Sequence, residues 1–253
     1  MQTVNFLGRV FPEPAQITIP FGESIIWEAP ELSLSMEFTC RVEKSLIDVA
    51  CRVPKYKPGH FDAIYMRALD LSRAQVDLVA FKMGLGATVM LETFVDPVGA
   101  KTPIVLKDDR LPTLCTAFTL EQGFNELLVK VIQSVPLFMA LRDLVSAITV
   151  PHASPVDCAR AMDRLKHLVA APRSKDAQAW KQLRNALQID EAYLKYITDH
   201  SAGPRHGRPG YTPGTATSEV TRRAWIIMNR YLEYLKRNNV QLPISEFPLL
   251  VGP

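Results

Sequence analysis

A polar cluster at residues 199–208 contains the residue types with the clearest potential for chemistry in this sequence. Its members are Asp199, His200, Arg205, His206 and Arg208. An imidazole can transfer a proton near neutral pH, and guanidinium groups can neutralise a phosphate. Phosphodiester cleavage needs both, because negative charge builds on the phosphorus oxygens while a proton moves. The cluster therefore predicts a phosphate-directed site, and a solvated, proline-rich loop is the alternative interpretation.

Three arginines recur every seven residues in the last predicted helix, at Arg223, Arg230 and Arg237. Residues at this spacing share one helix face, so together with Arg208 they could follow an RNA backbone. Glu219 precedes Arg223 by four residues, and Glu233 precedes Arg237 by four residues. Such spacing equally predicts a solvated helix face with local salt bridges.

Metal ions and cofactors are not expected from the residue pattern. The four cysteines are spread along the chain without a CxxC pair, and no P-loop, GxGxxG, GxSxG, HExxH or EF-hand motif is present. We therefore expect no cofactor and no metal site.

The first part of the chain has the alternation that is typical of β-strands. In residues 34–42 and 47–53, apolar side chains occupy every second position, which predicts two half-buried antiparallel strands. A two-residue turn at Glu43-Lys44 would pair Cys40 with Ile47 and Phe38 with Val49. Neither turn residue favours a positive φ, so a longer loop is also possible.

Further strands are predicted at 3–11, 15–20, 86–95 and 102–107. Residues 60–83 have apolar positions near helical spacing and are followed by Gly84 and Gly86, which predicts one long helix. We therefore expect residues 1–110 to form an α+β domain, with mostly antiparallel strands and one helix packed against them.

From residue 111 onward the apolar period becomes helical. Helices are predicted at 120–149, 155–170, 175–187, 191–200 and 218–238, with Pro136 kinking or dividing the first. The predicted second domain, residues 111–253, is thus an all-α bundle. Residues 1–110 contain 12 basic and 14 acidic residues, whereas the remainder contains 17 and 12, so the net positive charge belongs to the bundle. The excess is small for a dedicated nucleic-acid binder.

A cytoplasmic location is expected. Residues 1–14 contain no apolar run of signal-peptide length. The most apolar long stretch, residues 124–150, is interrupted by Glu126, Lys130, Arg142 and Asp143, so we expect no membrane span.

The region from Trp180 to Leu250 resembles the C-terminal region of a group of largely uncharacterised bacterial proteins. The residues that carry the resemblance are WKQLRNAL (180–187), TDHSAGPRHG (198–207) and SEVTRRAWIIMNRYLEYLKRN (218–238). A helical bundle with an Arg-His-Gly segment before a long terminal helix is similar to HEPN-type domains, including the Apea-like branch. The resemblance implies a metal-independent endoribonuclease of a toxin or antiviral system, or an inactive RNA-binding, dimerising or regulatory module.

In the ribonuclease that this resemblance implies, His206 is the general acid or base. Arg184 and Arg205 stabilise the charged phosphate, and Asp199 or His200 orients the imidazole. Arg184-Asn185 begins like the HEPN motif, but His206 follows 22 positions later, so the spacing departs from that of active HEPN ribonucleases.

Two functions from different classes are thus predicted. The leading hypothesis is an interaction or regulatory protein that binds RNA or protein, including as a homodimer through the bundle and the C-terminal tail; the alternative is the endoribonuclease. The apolar first helix of the bundle and the tail LPISEFPLLVGP would suit protein contacts, and the tail is expected to pack on its own bundle or on a neighbour. A small-molecule enzyme in the α+β domain lacks support, because no paired carboxylates appear there.

Overall fold

The computed structural model describes residues 1–19, 22–29, 32–207 and 212–252. The chain divides into two compact units, Met1–Val105 and Leu106–Pro253, and each has its own cluster of buried apolar side chains. The first unit is a β-sheet with one long helix and the second is helical, which confirms the predicted α+β class.

The sheet of the first unit has six strands in the order β2-β3-β4-β1-β5-β6, and all neighbouring strands are antiparallel. The strands are β1 (Gln2–Phe11), β2 (Ile25–Ala29), β3 (Leu34–Glu43), β4 (Leu46–Val53), β5 (Thr88–Val95) and β6 (Lys101–Pro103). Helix α1 (Phe61–Met83) follows β4 and packs on one face of the sheet, where Ile64 and Ala68 join the buried core.

The β3–β4 hairpin forms as predicted, but its register differs from the expected one. Lys44 and Ser45 make the turn with φ of 48° and 65°, and Cys40 pairs with Val49 instead of Ile47. Phe38 likewise pairs with Cys51 instead of Val49. The shift is by two residues, so the apolar side chains keep the same face and the core is unaffected.

Other strands differ from the prediction in detail. Ile19 makes only an isolated bridge to Val42, so the predicted strand at 15–20 is not a full strand within its described part. Strand β6 is shorter than the predicted 102–107, and β2 was not predicted. Gly8 lies at an irregularity between β1 and β5, where a Cβ would come within 2.1 Å of the Met90 carbonyl oxygen, so only glycine fits there.

Helix α1 confirms the predicted helix over residues 60–83. It ends where Gly84 adopts φ of 62° and donates its N–H to the carbonyls of Ala80 and Phe81. This left-handed cap is the usual role of glycine after a helix.

The second unit has six helices among its described residues. They are α2 (Phe124–Ile132), α3 (Val135–Thr149), α4 (Ser154–Val169), α5 (Asp176–Leu187), α6 (Glu191–Arg205) and α7 (Gly214–Lys236). The predicted first helix is divided, because Ser134 caps α3 by accepting the Leu137 N–H and Pro136 occupies its first turn. Helix α6 continues past the predicted end at His200 and includes Pro204 in its last turn.

Among the described helices, no single one is long and apolar enough to cross a membrane. The consecutive helices α2 and α3 reach that length and apolarity only together, across a bend of 111°.

Candidate functional site

A cleft between α4, α5 and α6 brings together three of the residues that the sequence singled out. Arg184 lies on α5, and Asp199 and Arg205 lie on α6. The cleft has a volume of about 420 Å³. Its other lining residues are Ala159, Asp163, Lys166, Asp176, Trp180, Glu191, Leu194, Lys195 and Thr198.

The three predicted residues share the cleft but pair with different partners. Arg205 Nη2 lies 3.1 Å from Asp163 Oδ2 on α4, and Arg184 Nη2 lies 3.1 Å from Glu191 Oε2. Asp199 is paired with Lys195 one turn earlier on the same helix. Each guanidinium is therefore already neutralised by a carboxylate, and a phosphate would have to compete with it.

The two histidines do not enter this arrangement. His206 follows the last residue of α6, is exposed, and is not among the residues that line the cleft. His200 Nδ1 lies 2.8 Å from the Tyr196 carbonyl oxygen, and its ring contacts the Tyr196 ring at a centroid distance of 4.3 Å. Because a carbonyl only accepts, Nδ1 of His200 donates this hydrogen bond. Within the described residues, His200 makes no contact with His206 and therefore does not orient the His206 imidazole.

Lys166 is a member of the cleft that the sequence analysis missed. Its ammonium is buried, lies 4.4 Å from the centroid of the Trp180 ring, and donates to Asp163 Oδ1 at 3.2 Å and Asp176 Oδ1 at 2.6 Å. The hydrogen bond from Lys166 lowers the pKa of Asp176. The three-residue spacing of Asp163 and Lys166 on α4 could have predicted their ion pair from the sequence. The ion pair of Lys166 with Asp176 could not be predicted in this way, because it forms only when α5 packs on α4.

The charges in the cleft are balanced. Lys166, Arg184, Lys195 and Arg205 are its cations, and Asp163, Asp176, Glu191 and Asp199 are its anions. A groove for a polyanion has an excess of positive charge. The cleft is instead a polar surface on which positive and negative side chains are equal in number and pair with one another.

The arginines of α7 do not form the predicted exposed row. Arg223 and Arg230 are only 6% and 7% exposed, so neither is available to a nucleic-acid backbone. Arg223 Nε lies 2.7 Å from Glu219 Oε1, as the spacing predicted, and its guanidinium lies over the Tyr196 ring at 4.1 Å. The predicted nucleic-acid contacts at Arg223 and Arg230 are therefore corrected, because packing against α6 and the tail buries both side chains.

Arg230 holds the C-terminal segment instead. Its Nη1 donates to the carbonyls of Leu187 at 2.9 Å and Gln188 at 2.7 Å, and its Nη2 donates to the Pro248 carbonyl at 2.6 Å. Arg237 is also directed at this segment and pairs with Glu246 at 2.6 Å, not with the predicted Glu233. Arg208 lies outside the described residues.

The described part of the apolar tail packs on its own bundle, which was the first of the two predicted alternatives. Leu242 is fully buried, and Leu250 forms a parallel bridge with Ile189. The Gly252 N–H donates to both carboxylate oxygens of Asp190, the residue that caps the N-terminus of α6. The described part of the tail is thus a component of the folded unit.

A second surface of the bundle is apolar and open. We call it the α2–α3 face, and its large apolar side chains are 38–71% exposed. They are Phe124, Leu128, Val129, Ile132, Val135, Phe138 and Val145. Val145 also lines a smaller apolar cavity of about 120 Å³ with Leu141 and Trp225, so the face is continuous with a recess into the bundle.

No group of His, Cys, Asp or Glu side chains within the described ranges is arranged to hold a metal ion.

Comparison with protein families places the chain by both of its units. Residues 4–105 match the N-terminal domain of a domain of unknown function, DUF8168, and residues 124–236 match the C-terminal domain of the same family. Together the two matches span most of the chain, which therefore belongs to the DUF8168 family. No curated protein and no solved structure matches it. The HEPN resemblance is not among these family matches and stays a hypothesis.

Proposed function

We propose that this protein is a non-catalytic interaction protein whose helical unit associates with a second copy through the α2–α3 face. The observation that carries the proposal is the exposure of seven large apolar side chains on two consecutive helices. Scattered apolar residues are normal on a protein surface, but a continuous group on one face usually marks a contact site.

The size of the face suits a dimer. From the observed exposures, its apolar side chains present roughly 600 Å², at the upper end of the largest patches on monomers. A stable interface buries about 800 Å² on each partner, so the face with a modest polar rim is large enough. In a two-fold arrangement the same patch lies on both sides, and an apolar patch complements itself.

The charges around the face also favour a second copy. Glu126 on α2 and Arg142 on α3 are exposed and of opposite sign, so a two-fold axis between the helices could pair them crosswise. Lys130 is turned away, with its Nζ 2.9 Å from the Leu235 carbonyl oxygen. An anionic membrane would instead require several basic side chains at the border of the apolar area.

Sedimentation velocity across a dilution series tests this proposal. We expect the full chain to sediment as a dimer, and Ile132→Lys to sediment as a monomer because a buried ammonium would lack a partner. Ile244→Lys is the matched control, since Ile244 is of the same type and is similarly exposed, at 64% against 71%. A monomer at every concentration, or an equal effect of both substitutions, would contradict the proposal. Binding to lipid vesicles that Ile132→Lys abolishes would assign the face to a membrane.

The endoribonuclease is kept as a second candidate, because Arg184, Asp199 and Arg205 line one cleft and His206 follows Arg205 directly. With this second candidate we propose a HEPN-like bundle, RNA as the substrate, a role in antiviral defence and a cytoplasmic location. RNA cleavage in the presence of EDTA tests this function. His206→Ala should abolish cleavage and His167→Ala, an exposed histidine of α4, should not. Equal activity or equal inactivity of the wild type and His206→Ala would exclude the catalytic role of His206.

A further inference from the structure

The two edge strands of the sheet differ in their protection against pairing with another chain. Strand β6 has only three residues, and it carries Lys101 and Pro103. A short edge with a lysine and a proline is poorly suited to further pairing, because proline lacks an N–H and the charge resists burial. Natural sheets commonly protect their edge strands in this way, so β6 is not expected to pair with another chain.

Strand β2 lacks this protection. It has five residues, no proline and a single charge, Glu28. All five residues pair with β3 on one side, and no other described strand pairs with the opposite side. Ile25, Ile26 and Trp27 are 44%, 68% and 42% exposed. An apolar edge with unpaired backbone groups is a template for an added strand.

The two faces of β2 would present different chemistry to such a strand. Ile25 and Trp27 lie opposite Phe38 and Met36, which belong to the core, so an added strand would meet apolar side chains on that face. Arg67 of α1 lies over the Trp27 ring at 4.0 Å and borders the same side.

The other face of this edge is acidic. Ile26 lies opposite Glu37, and Glu28 lies opposite Ser35, whose hydroxyl donates to the Glu28 carboxylate at 2.7 Å. Glu37 is paired only loosely with Arg52, at 3.8 Å. A second β2 strand placed here would add a further carboxylate to this face, whereas a strand with basic side chains would neutralise it.

We propose that β2 is a docking edge for an extended segment of a partner protein in which apolar and basic residues alternate. The apolar residues would pack beside Ile25 and Trp27, and the basic residues would lie near Glu28 and Glu37. The backbone would add a seventh strand to the sheet. This recognition is independent of the proposed self-association of the helical unit.

A labelled peptide of alternating lysine and valine, about six residues long, serves as the probe, since six residues match a typical strand. Fluorescence anisotropy with the full chain should show binding that weakens with salt. The same peptide with every backbone nitrogen methylated should not bind, because it cannot pair with the edge. A glutamate–valine peptide should bind at least about tenfold more weakly than the lysine–valine peptide.

Protein variants locate the site. Ile26→Lys should weaken binding of the lysine–valine peptide at least about tenfold. Leu46→Lys, a matched control because Leu46 is 61% exposed elsewhere on the sheet, should not. Glu28→Lys should remove most of the preference for the lysine–valine peptide, because Glu37 then shares this face with a lysine. The proposal is overturned if the lysine–valine peptide does not bind, if the methylated peptide binds equally, or if Leu46→Lys has the same effect as Ile26→Lys. Self-association that Ile26→Lys abolishes would assign the edge to a second copy and would likewise overturn it.

Discussion

Arg230 is a buried charged residue that hydrogen-bonds the end of α5 and the C-terminal tail to α7. Its guanidinium is buried and donates to three carbonyl oxygens, two at the end of α5 and one in the tail. Burial lowers its pKa, but an arginine remains charged at any physiological pH. Such charge-assisted hydrogen bonds are stronger than neutral ones, so the side chain links three segments that are distant in sequence.

We expect Arg230→Ala to lower the free energy of unfolding by about 3 kcal/mol, because the charge-assisted hydrogen bonds to one buried and two partly buried carbonyls are lost. Arg237→Ala is the control. It removes one exposed ion pair with Glu246, so the free energy of unfolding should fall much less than in Arg230→Ala. Urea unfolding of both variants measures the difference. Equal losses would show that Arg230 is not the main attachment of the tail.

Glu219 makes the stability of the bundle depend on pH. Hydrogen bonds from Arg222, and then from Arg223, lower its pKa from 4.5 to about 2. A carboxylate with a depressed pKa in the folded state contributes stability that is complete above pH 4.5 and is lost as the pH falls toward 2. Glu219→Gln should therefore lower stability by about 2 kcal/mol at neutral pH and leave a smaller decrease in acid.

Unfolding by urea at a series of pH values tests this. The difference between wild type and Glu219→Gln isolates this carboxylate from Asp143, whose pKa is raised by burial and whose contribution has the opposite sign. Glu246→Gln is the control, since its pair with Arg237 is more exposed and should matter less. A constant difference between wild type and Glu219→Gln from neutral pH to below pH 3 would contradict the assignment.

At the scale of elements, the β3–β4 turn explains why the register was predicted wrongly. The two turn residues are Lys44 and Ser45, both with positive φ, and neither is a residue that the sequence marks for such a turn. Ser45 compensates through contacts from elsewhere: its Oγ accepts the Ile17 N–H at 3.0 Å, and its carbonyl accepts the Val10 N–H at 2.8 Å. Tertiary contacts, not local preference, therefore fix the turn.

This predicts opposite effects for two similar substitutions. Lys44→Gly should raise the free energy of unfolding by about 0.5–1 kcal/mol, because it relieves a positive φ at an exposed position. Ser45→Gly relieves the same strain but leaves the buried Ile17 N–H without its acceptor, so it should lower stability by about 1 kcal/mol. Thermal unfolding of the two variants distinguishes these effects. A gain from both would show that the Ser45 hydroxyl is dispensable.

The predicted elements were those with a strong period. Helix α1 and the pattern of β3 and β4 follow directly from apolar spacing, and Pro136 divides α2 from α3 as expected. Strand β2 was missed because Ile25-Ile26-Trp27 is a short continuous apolar run without alternation. Helix α6 was predicted too short because Gly203-Pro204 is typical of a loop, although a proline in the last turn removes few hydrogen bonds.

The candidate site was less predictable than the fold. Residue types drew attention to Arg184, Asp199 and Arg205, but only helix packing brings them to one cleft and adds Lys166. The spacing of Arg223 and Arg230 suggested a solvent-facing row, because arginines are seldom buried. Their ring and carbonyl partners come from α5, α6 and the tail, and no local pattern in α7 could reveal them.

At the scale of the whole molecule, the two proposed contact surfaces belong to different units. The α2–α3 face lies in the helical unit and the β2 edge lies in the sheet unit. The two buried clusters also contain no residue in common, and each draws its members from one unit. A chain with this organisation could bind itself through one unit and a second polypeptide through the other.

Separate cores predict separate folding. Fragments 1–105 and 106–253 should each show a cooperative thermal transition, because each keeps its own apolar core. Circular dichroism should give a mixed strand and helix spectrum for the first and a helical spectrum for the second. Sedimentation should further give a monomer for 1–105 and a dimer for 106–253, since only the latter has the α2–α3 face. A fragment without a cooperative transition would show that its core depends on the other unit, whereas a dimer of 1–105 would move self-association to the sheet.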